Sequence, residues 1–274
     1  MSAMSDALVK VPVCALRCGP DDRAEQADEV LSGMTVTVLD HAGGWCQVET
    51  PYRYRGWARA GDLRRDGTAC RRWEEAPKRV VLRAFCDVLS GPGVEHVRIA
   101  CLTRGALVSP LDPPEAGDWQ RVCLCDGREG FVRMGFLGAH HTAPAFREEG
   151  ALRAALTETA RSYLGTQYRW GGKTPLGIDC SGLTSMTYLL NGIRIFRDAR
   201  IEPGFPVHPI RRGDMGPGDL LFFPGHTAMY LGEGDYIHST AREGAGVVLN
   251  SLDPASSRFR ADLAGSVTAV GSIF

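Results

Sequence analysis

One stretch of this sequence is written twice. Trp45-Cys46-Gln47-Val48, then Gly56-Trp57-Ala58-Arg59 and Leu63, return 74 positions later as Trp119-Gln120-Arg121-Val122, Gly130-Phe131-Val132-Arg133 and Leu137. The spacings between the matching positions are unchanged and one aromatic replaces another, which duplication explains and chance does not. A β-prone run stands upstream of each tryptophan, Thr35-Val36-Thr37-Val38-Leu39 in the first copy and Ala106-Leu107-Val108 in the second. Short alternating strands with Gly, Pro and Asp between them predict a small β-barrel. Two barrels are therefore expected, over 7–66 and 79–138, with Arg71 to Pro77 as the linker and Trp45, Trp57, Trp119 and Phe131 in the cores.

From Glu148 the texture changes. Leu152, Ala155, Leu156, Thr159, Ala160 and Tyr163 recur at helical spacing up to Gly165, a C-cap. A Gly171-Gly172 loop, a second helix over Ser181 to Leu190 and a Pro/Arg-rich connection follow. Strands are then predicted at Leu220–Phe223, Thr227–Leu231, Tyr236–His238 and Val247–Leu249. Helices first and antiparallel-looking strands after them predict an α+β domain over 148–274.

Composition narrows the class. At 44% hydrophobic and 23% charged, the 274 residues are those of an ordinary globular protein, not a disordered chain, a collagen or a coiled coil. A net charge of −1 recruits neither nucleic acid nor an anionic membrane. No apolar run is long enough for a membrane span, and Met1 to Val13 lacks the apolar core of a secretory signal. Nine cysteines, an odd number in a chain able to build a core, favour a reducing compartment. Cytoplasmic is the expected location, with secretion by an unrecognised route as the alternative, and a monomer is the default state.

Three residues stand out as chemistry. Cys180 opens an amphipathic stretch with Leu183, Met186, Leu189 and Leu190 on one face, so it sits at a helix N-terminus, where free N–H groups favour a thiolate. His226 starts a predicted strand and His238 lies on the neighbouring one. A thiolate, an imidazole to carry its proton and a group that orients the imidazole are what nucleophilic catalysis needs. Taken singly, a cysteine is most often a small buried hydrophobe and a histidine a structural hydrogen-bonder. The joint arrangement lifts these three, while the other eight cysteines keep the ordinary reading and Asp219 reads as a turn residue. Cys14/Cys18, Cys123/Cys125 and His140-His141 lack a second pair at zinc spacing, so no metal is expected, and no phosphate-cradling loop calls for a cofactor. Arg194, Arg197, Arg200, Arg211 and Arg212 read as a solvated face, with carboxylate recognition as the sharper reading.

The repeat resembles bacterial SH3-like (SH3b) domains. The C-terminal part is similar to the NlpC-type family of papain-like cysteine peptidases, through Tyr168-x-Trp170-Gly-Gly, Asp179-Cys180-Ser181-Gly182-Leu183, Arg197-Asp198-Ala199, Pro217-Gly-Asp-Leu-Leu-Phe-Phe, His226-x-x-x-Tyr230-Leu-Gly and Ile237-His238-Ser239. Two SH3-like domains before such a domain resemble the subgroup that cuts the γ-D-glutamyl bond to Lys or a diamino acid. That resemblance implies a small murein peptide substrate with a free L-Ala amine. It makes Cys180 the nucleophile, His226 the base and His238 the orienting member. The Cys180 N–H and Tyr168 hydroxyl form the oxyanion hole, Asp179 binds the ammonium, Ser181 holds the D-glutamyl end and Trp170 lines the subsite. It also implies a tyrosine of the first barrel closing over L-Ala, Tyr54 with Tyr52 as competitor, and Glu25 as a second amine contact. Thr227-Ala228, Ile201-Glu202 and the loop Gly204 to Asp214 depart from the family pattern. The rival reading is a wall-peptide-binding module with a dead third domain, against which the intact Cys180, His226 and His238 speak.

Overall fold

The structure, a computed structural model, describes residues 5–111, 118–242 and 245–274. Positions 112–117 of the second expected barrel and the first four of the leader reading lie outside them. The chain forms two compact units, Met1–His140 and His141–Phe274.

In the first unit, β1 (Ser5–Val9), β2 (Val13–Arg17), β3 (Gln26–Leu31), β4 (Thr35–Ala42), β5 (Trp45–Glu49), β6 (Arg55–Arg59) and β7 (Leu63–Arg64) form a sheet in the order β3-β2-β6-β5-β4-β1-β7. Helix α1 (Gly67–Glu75) follows. Then β8 (Arg79–Val81), β9 (Phe85–Leu89), β10 (Arg98–Thr103), β11 (Leu107–Pro110), β12 (Trp119–Cys123), β13 (Glu129–Arg133) and β14 (Leu137–Ala139) are ordered β10-β9-β13-β12-β11-β8-β14. The second order is the first advanced by seven strands, so the duplicated sequence is a duplicated topology.

The repeat also preserves one cross-strand pair. Trp45 faces Arg59 and Trp119 faces Arg133, and each guanidinium lies over the indole, 4.9 and 4.3 Å from its centroid. Trp45 and Trp119 are buried, but Trp57 and Phe131 are only half-buried. Strand alternation turns their neighbours Ala58 and Val132 inward instead, which corrects the expectation that all four aromatics are core.

The expected linker is largely a helix. Asp66 caps α1 by accepting from the Thr68 and Ala69 N–H groups at 3.0 and 3.2 Å. Trp73, mid-linker on the sequence reading, is buried and donates through Nε1 to the Gly33 carbonyl at 2.8 Å. Gly33 has a φ of +83°, and a Cβ there would stand 2.7 Å from the Leu107 oxygen. The Leu107 N–H in turn donates to Ser32 O at 2.9 Å. The two barrels are thus joined by contact as well as by chain.

The second unit begins with α2 (Glu149–Arg161), β15 (Lys173–Thr174), β16 (Gly177–Ile178) and α3 (Cys180–Leu190). Its sheet is built from β17 (His208–Ile210), β18 (Leu220–Phe223), β19 (His226–Gly232), β20 (Asp235–Ser239), β21 (Val247–Ser251) and, after the short helix α4 (Ala261–Ala264), β22 (Ala269–Ser272). The order is β17-β22-β18-β19-β20-β21, with every pairing antiparallel. Helix α3, buried from Cys180 to Tyr188, packs on β19 and β20 and is backed by α2. This is the expected α+β arrangement, with a C-terminal strand the periodicity did not reveal.

Candidate active site

The first turn of α3 is set by a close approach. A Cβ on Gly182 would lie 2.1 Å from the Gly172 carbonyl oxygen, so only glycine lets the Gly171-Gly172 loop rest on the helix. Asp179 is the N-cap: its Oδ1 accepts from Gly182 N at 2.5 Å, and its Oδ2 accepts from Gly171 N at 2.8 Å. Arg197 completes the cluster, donating from Nη1 to Oδ1 at 3.0 Å and from Nη2 to Oδ2 at 2.9 Å. Ser181 Oγ accepts from Arg197 Nη1 at 2.7 Å and donates to Asp179 Oδ1 at 3.3 Å. Arg197 is 1% exposed, so it does not belong to a solvated face with Arg200 and Arg211. The acceptor sites of Asp179 are fully used, and a substrate ammonium reaches this carboxylate only by displacing one of these donors.

Cys180 is thereby fixed at the first position of α3, where backbone N–H groups have no partner within the helix. The N–H groups of Thr227 and Ser181 face its sulfur, which places the thiol against the start of β19. Burial, and then the Asp179 charge, push the thiol up to about 11. Burial and the Asp179 charge thus oppose the thiolate that the helix N-terminus favours.

His226 is placed by a two-residue turn. Phe223 pairs with His226 across Pro224-Gly225, and Gly225 takes a φ of +66° that suits glycine. His226 Nε2 lies 2.7 Å from His238 Nδ1, and His238 Nε2 lies 2.9 Å from Asn250 Oδ1. The three side chains come from the adjacent strands β19, β20 and β21. Burial drives both histidines well below their ordinary value, with further lowering of His226 by its histidine neighbour and by Arg260 and Arg242. Both rings are neutral. Thr227, a departure from the family pattern, is buried with its hydroxyl donating to Leu221 O at 3.0 Å.

Tyr168 and the histidine pair line one open cavity of about 440 Å³, walled on another side by Arg242, Arg260 and Asp262. The Tyr168 hydroxyl is pushed up to about 12, first by burial and then by the nearby Cys180 and Asp179, so it remains a donor. Trp170 is 62% exposed.

Cys180, His226, His238, Tyr168, Asp179 and Ser181 thus come together in the second unit. Tyr54 and Glu25 lie in the first unit, as does Tyr52. Of the two tyrosines, Tyr52 is buried and donates to Asp28 Oδ2 at 2.5 Å, while Tyr54 is half-buried. Asn250, Arg260 and Asp262 escaped the sequence reading, and Arg197, one of a loose arginine group and part of the Arg197-Asp198-Ala199 match, was given no site role there. The same 12-residue step separates His226 from His238 and His238 from Asn250, a spacing that is the one signal the sequence held for Asn250 and that was not read.

The description "NlpC/P60 family" matches residues 165–260, and "Bacterial SH3 domain" matches residues 13–64. Dipeptidyl-peptidase 6 of Lysinibacillus sphaericus is 42% identical over 272 residues, covering 98% of this chain and 100% of that protein. The gamma-D-glutamyl-L-lysine dipeptidyl-peptidase of Bacillus cereus is 28% identical over 236 residues, covering 78% of this chain and 67% of that protein. A crystal structure of an NlpC/P60 family protein from Bacillus cereus superposes with a TM-score of 0.80 at 22% identity, over 97% of this chain and 98% of the other, a likeness of fold.

Proposed function

Because this chain belongs to the NlpC/P60 family of cysteine peptidases, we propose that it is a γ-D-glutamyl-L-diamino acid dipeptidyl-peptidase acting on murein peptides that carry a free N-terminal L-Ala. The observation that carries the reading is the thiol of Cys180 at the start of α3, set against β19, whose first residue His226 is hydrogen-bonded to His238. In this mechanism His226 Nδ1 takes the thiol proton as Sγ attacks the γ-D-glutamyl carbonyl. The developing oxyanion is met by the Cys180 N–H and the Tyr168 hydroxyl. His226 returns the proton to the leaving amine of Lys or diaminopimelate, and a thioester remains. Water, deprotonated by the same imidazole, then releases the L-Ala-γ-D-Glu dipeptide and restores the thiol.

Burial of both groups favours a neutral thiol–imidazole pair, in which proton transfer accompanies attack. Ser181 is assigned to the D-glutamyl end and Trp170 to the subsite wall. Asp179, already saturated by Arg197 and two backbone donors, meets the substrate ammonium only by giving up one of them. The cysteine pattern supports a reducing compartment, and the cytoplasmic location is proposed on that ground.

The test is mass spectrometry of L-Ala-γ-D-Glu-L-Lys, its N-acetyl form and the diaminopimelate analogue, each incubated with the protein and with Cys180→Ala. Release of the dipeptide from the free-amine peptides alone, absent in the variant, is the expected result. Equal cleavage of the acetylated peptide removes the amine requirement. No cleavage of any peptide overturns the proposed activity.

A further inference from the structure

We propose that Asn250 is a positioning residue that fixes which nitrogen of each active-site histidine carries its proton, and so keeps Nδ1 of His226 bare to act as the base. The inference rests on the reading of His226 as the base for Cys180.

Arg258 O only accepts, and it takes hydrogen bonds from Ser251 N at 2.9 Å and from Asn250 Nδ2 at 3.2 Å. That turns Asn250 Oδ1 toward His238 Nε2, 2.9 Å away. An amide oxygen also only accepts, so Nε2 must carry a hydrogen. A neutral imidazole has one N–H, so His238 Nδ1 is bare. It lies 2.7 Å from His226 Nε2, which must therefore donate. His226 is left with its single hydrogen on Nε2 and a lone pair on Nδ1. Arg258 O thus dictates, through Asn250 and His238, the state of the base.

The surroundings keep both rings at one proton each. Burial is the main cause; His238, Arg260 and Arg242 further oppose a positive charge on His226, and at His238 Arg260 opposes it while the Asn250 hydrogen bond and Asp262 favour it. Two aromatic rings pack on the pair: Tyr236 meets His238 edge-on at 5.2 Å and Phe223 is tilted against His226 at 5.7 Å. A neutral acceptor suits this site better than a carboxylate. An aspartate at 250 also accepts from Nε2, but its charge draws a second proton onto His238. His238 Nδ1–H then faces a donor, and His226 must move its own hydrogen to Nδ1, where it is useless as a base.

The first test needs no substitution. Long-range proton–nitrogen NMR of the full chain with labelled histidine, assigned through His226→Asn and His238→Gln, is expected to show both rings protonated on Nε2 at neutral pH. An Nδ1–H form at either ring overturns the proposal. Asn250→Leu, which removes the acceptor at similar volume, is expected to lower kcat on the free tripeptide about tenfold with KM little changed, tenfold being the bias one ordinary buried hydrogen bond supplies. Asn250→Asp is expected to move the acid limb of kcat/KM up by about one pH unit or more, with activity recovered in alkali. A purely structural Asn250 lowers both variants by the same factor at every pH, and that result sinks the proposal. If the peptide is not cleaved by the unaltered protein, iodoacetamide alkylation of Cys180, followed by peptide mapping across pH, makes the same comparison without substrate. A shift of that profile in Asn250→Asp then supports the relay while the substrate reading fails, and an unshifted profile rejects the relay.

Discussion

The guanidinium of Arg197 meets the carboxylate of Asp179 in two parallel hydrogen bonds, Nη1 to Oδ1 at 3.0 Å and Nη2 to Oδ2 at 2.9 Å, at the foot of the helix that carries the nucleophile. Both side chains are buried, and the same carboxylate caps α3 and holds the Gly171 N–H. Arg197 therefore neutralises a buried charge beside Cys180.

Removing one partner leaves the other charged and buried. Arg197→Ala is expected to cost about 3–5 kcal/mol in urea denaturation, and Arg197→Lys to recover only part, because an ammonium cannot make the fork. The double variant Arg197→Met/Asp179→Asn should be more stable than Arg197→Ala alone. Equal losses in the single and double variants would show that the pair is not coupled.

The pH dependence of stability follows from the histidines. Both are held neutral in the folded protein by burial, while in the unfolded chain each takes up a proton near its ordinary value of about 6.5. The unfolded state therefore binds more protons at acid pH, and stability falls as pH drops below that value. The denaturation midpoint is expected to decline from pH 7 toward pH 4, and less steeply in His238→Gln. A flat wild-type profile in that window contradicts neutral burial of the pair.

The thiol gives a separate reading. Since burial and Asp179 raise Cys180, its alkylation by iodoacetamide is expected to climb through neutral pH and on toward about 11. Cys18, which is exposed, is modified alongside it, so the adducts must be located by peptide mapping. A plateau of Cys180 reactivity at acid pH would instead mark a resting thiolate–imidazolium pair.

Gly182 is required by distance. Its substitution by alanine puts a methyl group 2.1 Å from the Gly172 oxygen, a backbone atom that cannot turn aside. Gly182→Ala is expected to lose about 3 kcal/mol and most of the activity, because the shifted loop carries the Asp179 and Cys180 geometry with it. Thermal denaturation with a parallel peptide assay measures both, and wild-type values in each would show that the loop has room to move.

In the first unit Trp73 ties α1 to the Gly33 turn. Trp73→Phe, which keeps the bulk and loses the 2.8 Å hydrogen bond, is expected to cost about 1 kcal/mol, and Trp73→Ala about 3–5. Circular dichroism during urea denaturation reads both, and equal losses would assign the whole effect to the hydrogen bond.

The sequence by itself determined what depends on neighbours along the chain. The Trp–Arg pair at one offset announced two copies of one barrel, because cross-strand partners in a hairpin are close in sequence. Cys180 at a helix start, His226 after Pro-Gly and His238 on the next strand were readable for the same reason: a cap, a turn and a hairpin are local. What the tertiary structure alone decided is who meets whom across distance, and in what medium. Arg197 is 18 residues from Asp179, and although Arg197-Asp198-Ala199 is recognisable as a motif, its spacing does not show which carboxylate the guanidinium meets. Asn250 acquires its role only when β21 is laid beside β20 and Arg258 returns to face it. The thiol and the imidazoles are neutral because folding removes water from them, a property of the enclosing fold that no local motif carries.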